Sequence, residues 1–304
     1  MPLPETAKAA TKNIVRLRNK ALAGIALAGL AAWALSAPRV IPPSEWPNPI
    51  GEAGRGAQVF NIGGCASCHM EKEAKGEARL QLGGGQAFAT PFGTFYAPNI
   101  SPSPNGIDGW STLDLANALL RGVSPEGAHY YPAFPYSSYT RLQPQDVADL
   151  KAYLDTLPAV DRANTPHDLA FPFNIRRSNG FWKLLFLSDK PVIASNEPRG
   201  QYLVEGLGHC AECHTPRNAL GGLDRSRWMA GAPSPNGKGK VPNLTPAKLR
   251  WSEKDIAYYL ETGFTPDFDA AGGHMASVVL NTGQLPAGDR AAIAAYLKAL
   301  APLE

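Results

Sequence analysis

Cysteine is scarce. The 304 residues hold four, all within two five-residue stretches, Cys65-Ala66-Ser67-Cys68-His69 and Cys210-Ala211-Glu212-Cys213-His214. None is left over for a disulfide staple, a separate thiol nucleophile or a further thiolate ligand. Positive charge is equally confined. Lys8, Lys12, Arg16, Arg18 and Lys20 stand against Glu5 alone in the first 37 residues, and removing them from totals of 29 basic and 26 acidic side chains leaves 24 and 25. The body of the chain therefore has no basic face, and nucleic acid is excluded as a partner. Methionine and histidine are few, four and six, which narrows the candidates for soft or imidazole metal ligands.

What is present is a twice-written motif. Two thiols three positions apart can bond the two vinyl groups of one haem, and the histidine directly after the second falls under the iron as its proximal ligand. A redox-active dithiol has no need of that histidine. A shared zinc would need four ligands converging on one ion, across pairs 145 positions apart, and would leave both histidines unexplained. The cofactors expected are two covalently bound haem c groups. Cys65, Cys68 and His69 would hold the first, and Cys210, Cys213 and His214 the second.

Upstream, residues 21 to 37 carry no charge for seventeen positions, which predicts a single transmembrane helix of about 25 Å. The basic residues before it put the N-terminus in the cytoplasm and the bulk of the chain outside, in the periplasm of a bacterial inner membrane. A cleaved export signal is the alternative; the length of the run favours an uncleaved anchor. Residues 38–50, with five prolines between Pro38 and Pro49, read as a semi-rigid spacer.

The remainder repeats. Arg55-Gly56 is echoed by Arg199-Gly200, and Pro98-Asn99-Ile100-Ser101-Pro102 by Pro242-Asn243-Leu244-Thr245-Pro246. Ser111 with Asp114, and Ser252 with Asp255, predict capping boxes at two helix starts. Apolar residues at helical spacing close each half: Val147, Leu150, Leu154 and Leu157 in one, Ile293, Tyr296, Leu297 and Leu300 in the other. Two equivalent domains are expected at 51–158 and 199–304, with a connection over 159–198. The aromatic and leucine side chains of that connection, Phe171, Phe173, Phe181, Trp182 and Leu184 to Leu187, are expected in a core or an inter-domain seam.

Thr90-Pro91-Phe92-Gly93-Thr94, Gly109-Trp110-Ser111, Arg121-Gly122-Val123-Ser124 and Tyr131-Pro132-Ala133-Phe134-Pro135-Tyr136, with the Pro98 segment, resemble the membrane-anchored cytochrome c subunits of bacterial alcohol and gluconate dehydrogenases. The resemblance implies an all-α fold of two tandem class I cytochrome c domains behind the N-terminal helix. It implies electron transfer from a periplasmic dehydrogenase subunit to a terminal oxidase or other cytochrome, with no catalysis by the chain itself. A di-haem enzyme, such as a peroxidase or thiosulfate dehydrogenase with an open site at the first haem, is the rival reading. The relatives commonly carry three haems and this chain has two motifs, so their substrates are not inherited.

Met275 lies twelve residues after Gly263, in the loop before the C-terminal helix, where class I cytochromes c supply their distal methionine. It is the expected sixth ligand of the second haem, opposite His214. The same count from Gly122 lands on Phe134, which has no lone pair to give. His129, five residues earlier, is the candidate sixth ligand of the first haem, set against a plain hydrogen-bonding role in its loop. Pro98 and Pro242 are candidate carbonyl acceptors for the Nδ1-H of His69 and His214.

Overall fold

The computed structural model describes residues 5–234 and 239–304. Helix α1 (Glu5–Leu35) leads into α2 (Ala53–Ile62), α3 (Cys65–His69) and a hairpin of β1 (Ala87–Thr90) and β2 (Gly93–Tyr96). Then come α4 (Thr112–Ala116), which runs on as π-helical turns over Asn117–Arg121, α5 (Tyr136–Tyr139) and α6 (Pro144–Leu154). The connection contributes β3 (Asp168–Leu169) and α7 (Asn179–Phe186). The second half follows the same plan: α8 (Pro198–Gln201) continuing as π-helical turns over Tyr202–Leu207, α9 (Ala211–His214), the pair β4 (Ala232–Pro233) and β5 (Lys240–Val241), α10 (Glu253–Thr262), α11 (Gly273–Thr282) and α12 (Ala287–Lys298).

Each half is built on a helix crossing that a side chain would block. A Cβ on Gly56 of α2 would lie 1.9 Å from the Asp149 carbonyl oxygen and 2.7 Å from the Tyr153 Cβ. A Cβ on Gly200 of α8 would lie 2.0 Å from the Ala292 carbonyl oxygen and 2.7 Å from the Tyr296 Cβ. An arginine rivets each crossing from outside: Arg55 Nε donates to Asp149 at 2.7 Å, and Arg199 Nε to Asp289 at 2.8 Å. Both predicted capping boxes form, Ser111 with Asp114 and Ser252 with Asp255. Val147, Leu150, Leu154, Ile293, Tyr296 and Leu297 all join the buried core.

Two expectations need correction. The fold is mostly helical but not all-α, because five short strands interrupt it among the described residues. β1 and β2 form an antiparallel hairpin around Pro91-Phe92, and β3 adds to its edge through Gly93–Leu169 and Thr94–Asp168. The transmembrane helix is also overturned: among the described residues no helix is long and apolar enough to cross a membrane. The physical reason lies in where α1 stops. It ends at Leu35, so its uncharged part runs only from Ala21, about 22 Å against a hydrocarbon core of about 30 Å, and it is mostly alanine and glycine. Single-pass topology goes with it. Past Leu35 the chain turns into the first half: Ser36 is buried, Arg177 Nη2 donates to the Trp33 carbonyl at 2.7 Å, and its guanidinium lies 3.9 Å from the centre of the Trp33 ring.

The connection belongs largely to the first half. Asn99 Nδ2 donates to the carbonyls of Val160 at 2.7 Å and Arg162 at 3.0 Å, and the Tyr96 backbone N-H donates to His167 Nδ1 at 3.1 Å. Only one side of α7 is a seam. Trp182 meets the Tyr136 ring edge-on and the Phe186 ring at a tilt and donates to the Leu220 carbonyl at 2.9 Å, whereas Phe171, Phe173, Phe181, Leu184 and Leu185 are exposed. The helix is too short and too peripheral to bury both faces.

Candidate functional site

The two Cys-x-x-Cys-His stretches each form a short helix, α3 and α9, and the chain holds each of their histidines at two points. His69 Nδ1 lies 2.8 Å from the Pro98 carbonyl, and His214 Nδ1 lies 2.8 Å from the Pro242 carbonyl. A carbonyl only accepts, so Nδ1 carries the proton in both rings and Nε2 keeps its lone pair. The backbone repeats the match. Gly84 N-H donates to the His69 carbonyl, and Gly231 N-H to the His214 carbonyl, each at 2.8 Å. Both glycines have positive φ, 71° and 81°, and a Cβ on Gly84 would sit 2.4 Å from the Pro98 carbonyl. The proline segment can close on the histidine only because no side chain intervenes.

Asparagine does the remaining work in the repeated Pro-Asn segments. Asn99 Oδ1 accepts from Ser101 N-H at 2.9 Å while its amide holds the 160–162 backbone. Asn243 Oδ1 accepts from Thr245 N-H at 2.7 Å while its amide donates to the Leu303 carbonyl at 2.7 Å. Sequence reasoning singled out the prolines and passed over these asparagines, although the echo of the segment contained them. Each ties the segment under its histidine to the chain that follows the last helix of its half.

The chemistry of the donors fits haem. All four cysteines are unpaired. Burial pushes the Cys65 and Cys210 thiols up to about 12, the opposite of the lowered pKa on which a redox dithiol depends. Burial likewise holds His69 and His214 below the ordinary histidine range, against the opposing effect of their carbonyl partners, so both rings are neutral. Among the described residues no group of three or more histidine, cysteine, aspartate or glutamate side chains is arranged to hold a bare metal ion. Arg79, whose Nη2 donates to Asn281 Oδ1 at 2.9 Å, leaves its Nε buried with no partner among the described residues, an orphan donor that a group rich in acceptor oxygens would satisfy.

Met275 stands near the start of α11, half-buried and packed against the core, with His274 beside it exposed. Phe134, its counterpart, lies in an aromatic cluster with Tyr130, Tyr136 and Tyr139, ring centroids 5.7, 6.3 and 5.8 Å away. His129 is buried with both ring nitrogens engaged: Nε2 donates to the Ser36 carbonyl at 2.9 Å, and Nδ1 accepts from Lys183 Nζ at 2.9 Å. In this arrangement it has no free lone pair to offer an iron. Met229 is fully buried, and its carbonyl accepts from Leu244 N-H at 2.8 Å.

Residues 53–158 match the family model described as cytochrome c. The chain is 58% identical over 296 residues to a diheme cytochrome c-type protein of Cereibacter sphaeroides, covering 95% of this chain and 100% of that protein. It is 37% identical to the fructose dehydrogenase cytochrome subunit of Gluconobacter japonicus, over 81% of this chain and 52% of that protein. It is 36% identical to the gluconate 2-dehydrogenase cytochrome c subunit of Pantoea cypripedii, over 81% and 59%. The chain thus spans little more than half the length of those two cytochrome subunits. The duplicated histidine cradles and these likenesses lead to one conclusion: the chain belongs to the di-haem c-type cytochromes, electron-transfer proteins with two covalently attached haems.

Proposed function

We propose that this chain accepts electrons from a periplasmic dehydrogenase and hands them to a downstream oxidase or another cytochrome. The observation that carries the reading is the matched pair of 2.8 Å bonds from His69 to Pro98 and from His214 to Pro242. Two imidazoles are presented in one tautomer by two copies of one cradle, beside two pairs of unpaired thiols. Cys65 and Cys68 would bind the first haem and Cys210 and Cys213 the second, with His69 and His214 as proximal ligands. Bound haem supplies the one-electron iron couple, and the protein tunes it through ligand identity, burial and hydrogen bonding.

Met275 is the sixth ligand proposed for the second haem, where a thioether raises the potential. For His129 we favour the structural role, because ligating iron would cost both of its hydrogen bonds and release Ser36. The experiment is a mixing assay of the purified protein with a purified periplasmic sugar, sugar-acid or alcohol dehydrogenase and its substrate. Substrate-dependent reduction of both haems supports the reading. Turnover of peroxide or thiosulfate by the isolated chain would overturn it.

A further inference from the structure

The central residues of the two attachment motifs differ, Ser67 in one and Glu212 in the other, and each is held by the opposite half of the molecule. Asn281 of α11 donates through Nδ2 to Ser67 Oγ at 2.9 Å, across 214 positions of sequence, while its Oδ1 accepts from Arg79 at 2.9 Å. In the other direction, Ser137 Oγ and Ser138 Oγ of α5 donate to Glu212 Oε1 at 3.0 and 3.2 Å. Arg217 pairs with the other carboxylate oxygen, and the Glu212 side chain is only 10% exposed.

Between these contacts Tyr139 joins the two approaches. Its hydroxyl donates to the Gly63 carbonyl at 2.9 Å, two residues before Cys65. Its ring meets that of His209, the residue before Cys210, edge-on at 5.5 Å. Gly64, in the left-handed region at φ 62°, lets the backbone pass close by: a Cβ there would lie 3.6 Å from Asn281 Nδ2 and 3.8 Å from the His209 ring.

We infer that Asn281 and the Ser137–Ser138 pair are reciprocal positioning residues that lock the two haem-attachment helices face to face and so set the path for electrons between the two haems. The inference rests on the proposal that both motifs carry haem. In the exchange one iron loses an electron and the other gains it, with no bond made and no proton moved, so the chain's contribution is geometric. Electron tunnelling falls steeply with separation, and a geometry held by packing and supporting hydrogen bonds gives a fixed rate where a loose seam gives a spread of slower ones. Haem attachment itself uses only the flanking cysteines and histidine, so it does not require a serine at 67 or a largely buried carboxylate at 212.

The test uses full-length holoprotein with Asn281→Ala, Ser137→Ala/Ser138→Ala, and Asn281→Asp. In the last, the Ser67 hydroxyl donates to the new carboxylate and Arg79 keeps its acceptor. Haem content and the spectrum of each haem are recorded first; a wild-type chain with fewer than two covalent haems would overturn the underlying proposal and leave the contacts themselves untouched. Amide hydrogen exchange at residues 63–69 and 208–214 is then measured alongside electron equilibration between the haems after pulsed reduction. Both alanine variants are expected to retain two haems, to exchange at least tenfold faster in the loop of the opposite half, and to equilibrate several-fold more slowly and in more than one phase. Asn281→Asp is expected to restore protection and single-phase transfer. Unchanged exchange and unchanged equilibration in both alanine variants would overturn the inference.

Discussion

His129 and Ser36 stand 93 positions apart and are joined by a buried 2.9 Å hydrogen bond, the imidazole Nε2 donating to the serine carbonyl. Behind the ring, Lys183 Nζ reaches Nδ1 at 2.9 Å and the carbonyls of Arg121 and Gly122 at 2.7 Å each. Three elements thus meet on one imidazole: the end of α1, the 123–129 loop and α7. His129→Ala is expected to leave low-temperature EPR of the oxidised holoprotein unchanged and to cost about 1–3 kcal/mol in urea unfolding, the range for orphaning buried partners. A new high-spin signal confined to the variant would instead make His129 a ligand.

The same residue predicts a pH dependence. Burial lowers the His129 pKa; the Ser36 bond opposes that, and the nearby cations Lys183 and Arg177 add to it. Below about pH 6.5 an unfolded chain takes up a proton at this histidine that the folded chain still refuses. Its contribution is therefore intact above that value and is lost as pH falls towards the lowered folded value. Melting temperatures of wild type and His129→Ala should differ most above the ordinary histidine value and converge as pH falls through the lowered folded value. Parallel curves would remove His129 from the explanation.

Gly56 and Gly200 make a matched prediction about packing. A methyl at either position would overlap a backbone carbonyl of the facing helix at about 2 Å, and neither backbone can give way without opening the crossing. Gly56→Ala and Gly200→Ala should each cost at least ~3 kcal/mol, at the upper end for overpacking. Urea midpoints of the purified variants measure this, and a loss below 1 kcal/mol would show that the helices slide apart freely.

Glu205 lies at another junction between the halves. Its buried carboxylate accepts from the Tyr296 hydroxyl at 2.8 Å, the Gln201 amide at 2.8 Å and the Val192 backbone N-H at 2.7 Å, with Arg141 of the first half 3.8 Å away. Glu205→Ala would orphan several groups together and should cost about 3–5 kcal/mol, as for breaking a buried charged pair. Glu205→Gln, which keeps the shape, should cost less. Equal losses would mean that packing, not hydrogen bonding, holds the junction.

What the sequence revealed here is what repeats or lies close in the chain. The paired motifs, the Pro-Asn segments, the capping boxes and the final helices all carry local signals, and all appear where they were expected. Contacts such as Asn281 with Ser67 have no local signal, because neither residue's type or neighbours announce a partner in the other half. His129 carries no such signal either: a lone histidine near an expected ligand position reads as a candidate ligand, and its contacts with Ser36 and Lys183, distant in sequence, are what favour a hydrogen-bonding role. The α1 segment misled because its helix stops at Leu35, where Arg177 and His129 capture the chain, and no count of uncharged residues contains that stop.

Met275 offers the sharpest test of the proposed ligation. It begins half-buried at the start of α11, and the other methionines of the described residues are poorly placed to replace it. Met70 directly follows His69, and Met229 is enclosed in the core with its backbone bonded to Thr215 and Leu244. If Met275 gives its sulfur to the second iron, Met275→Ala removes the sulfur-to-iron charge-transfer band of the oxidised protein and lowers one of the two potentials, since thioether ligation raises it. The first haem's potential should stay within measurement error, because its attachment residues are untouched. Redox titration followed optically separates the two haems. Survival of the band, or an equal shift in both potentials, would return Met275 to the flexible core-filling role that most methionines play.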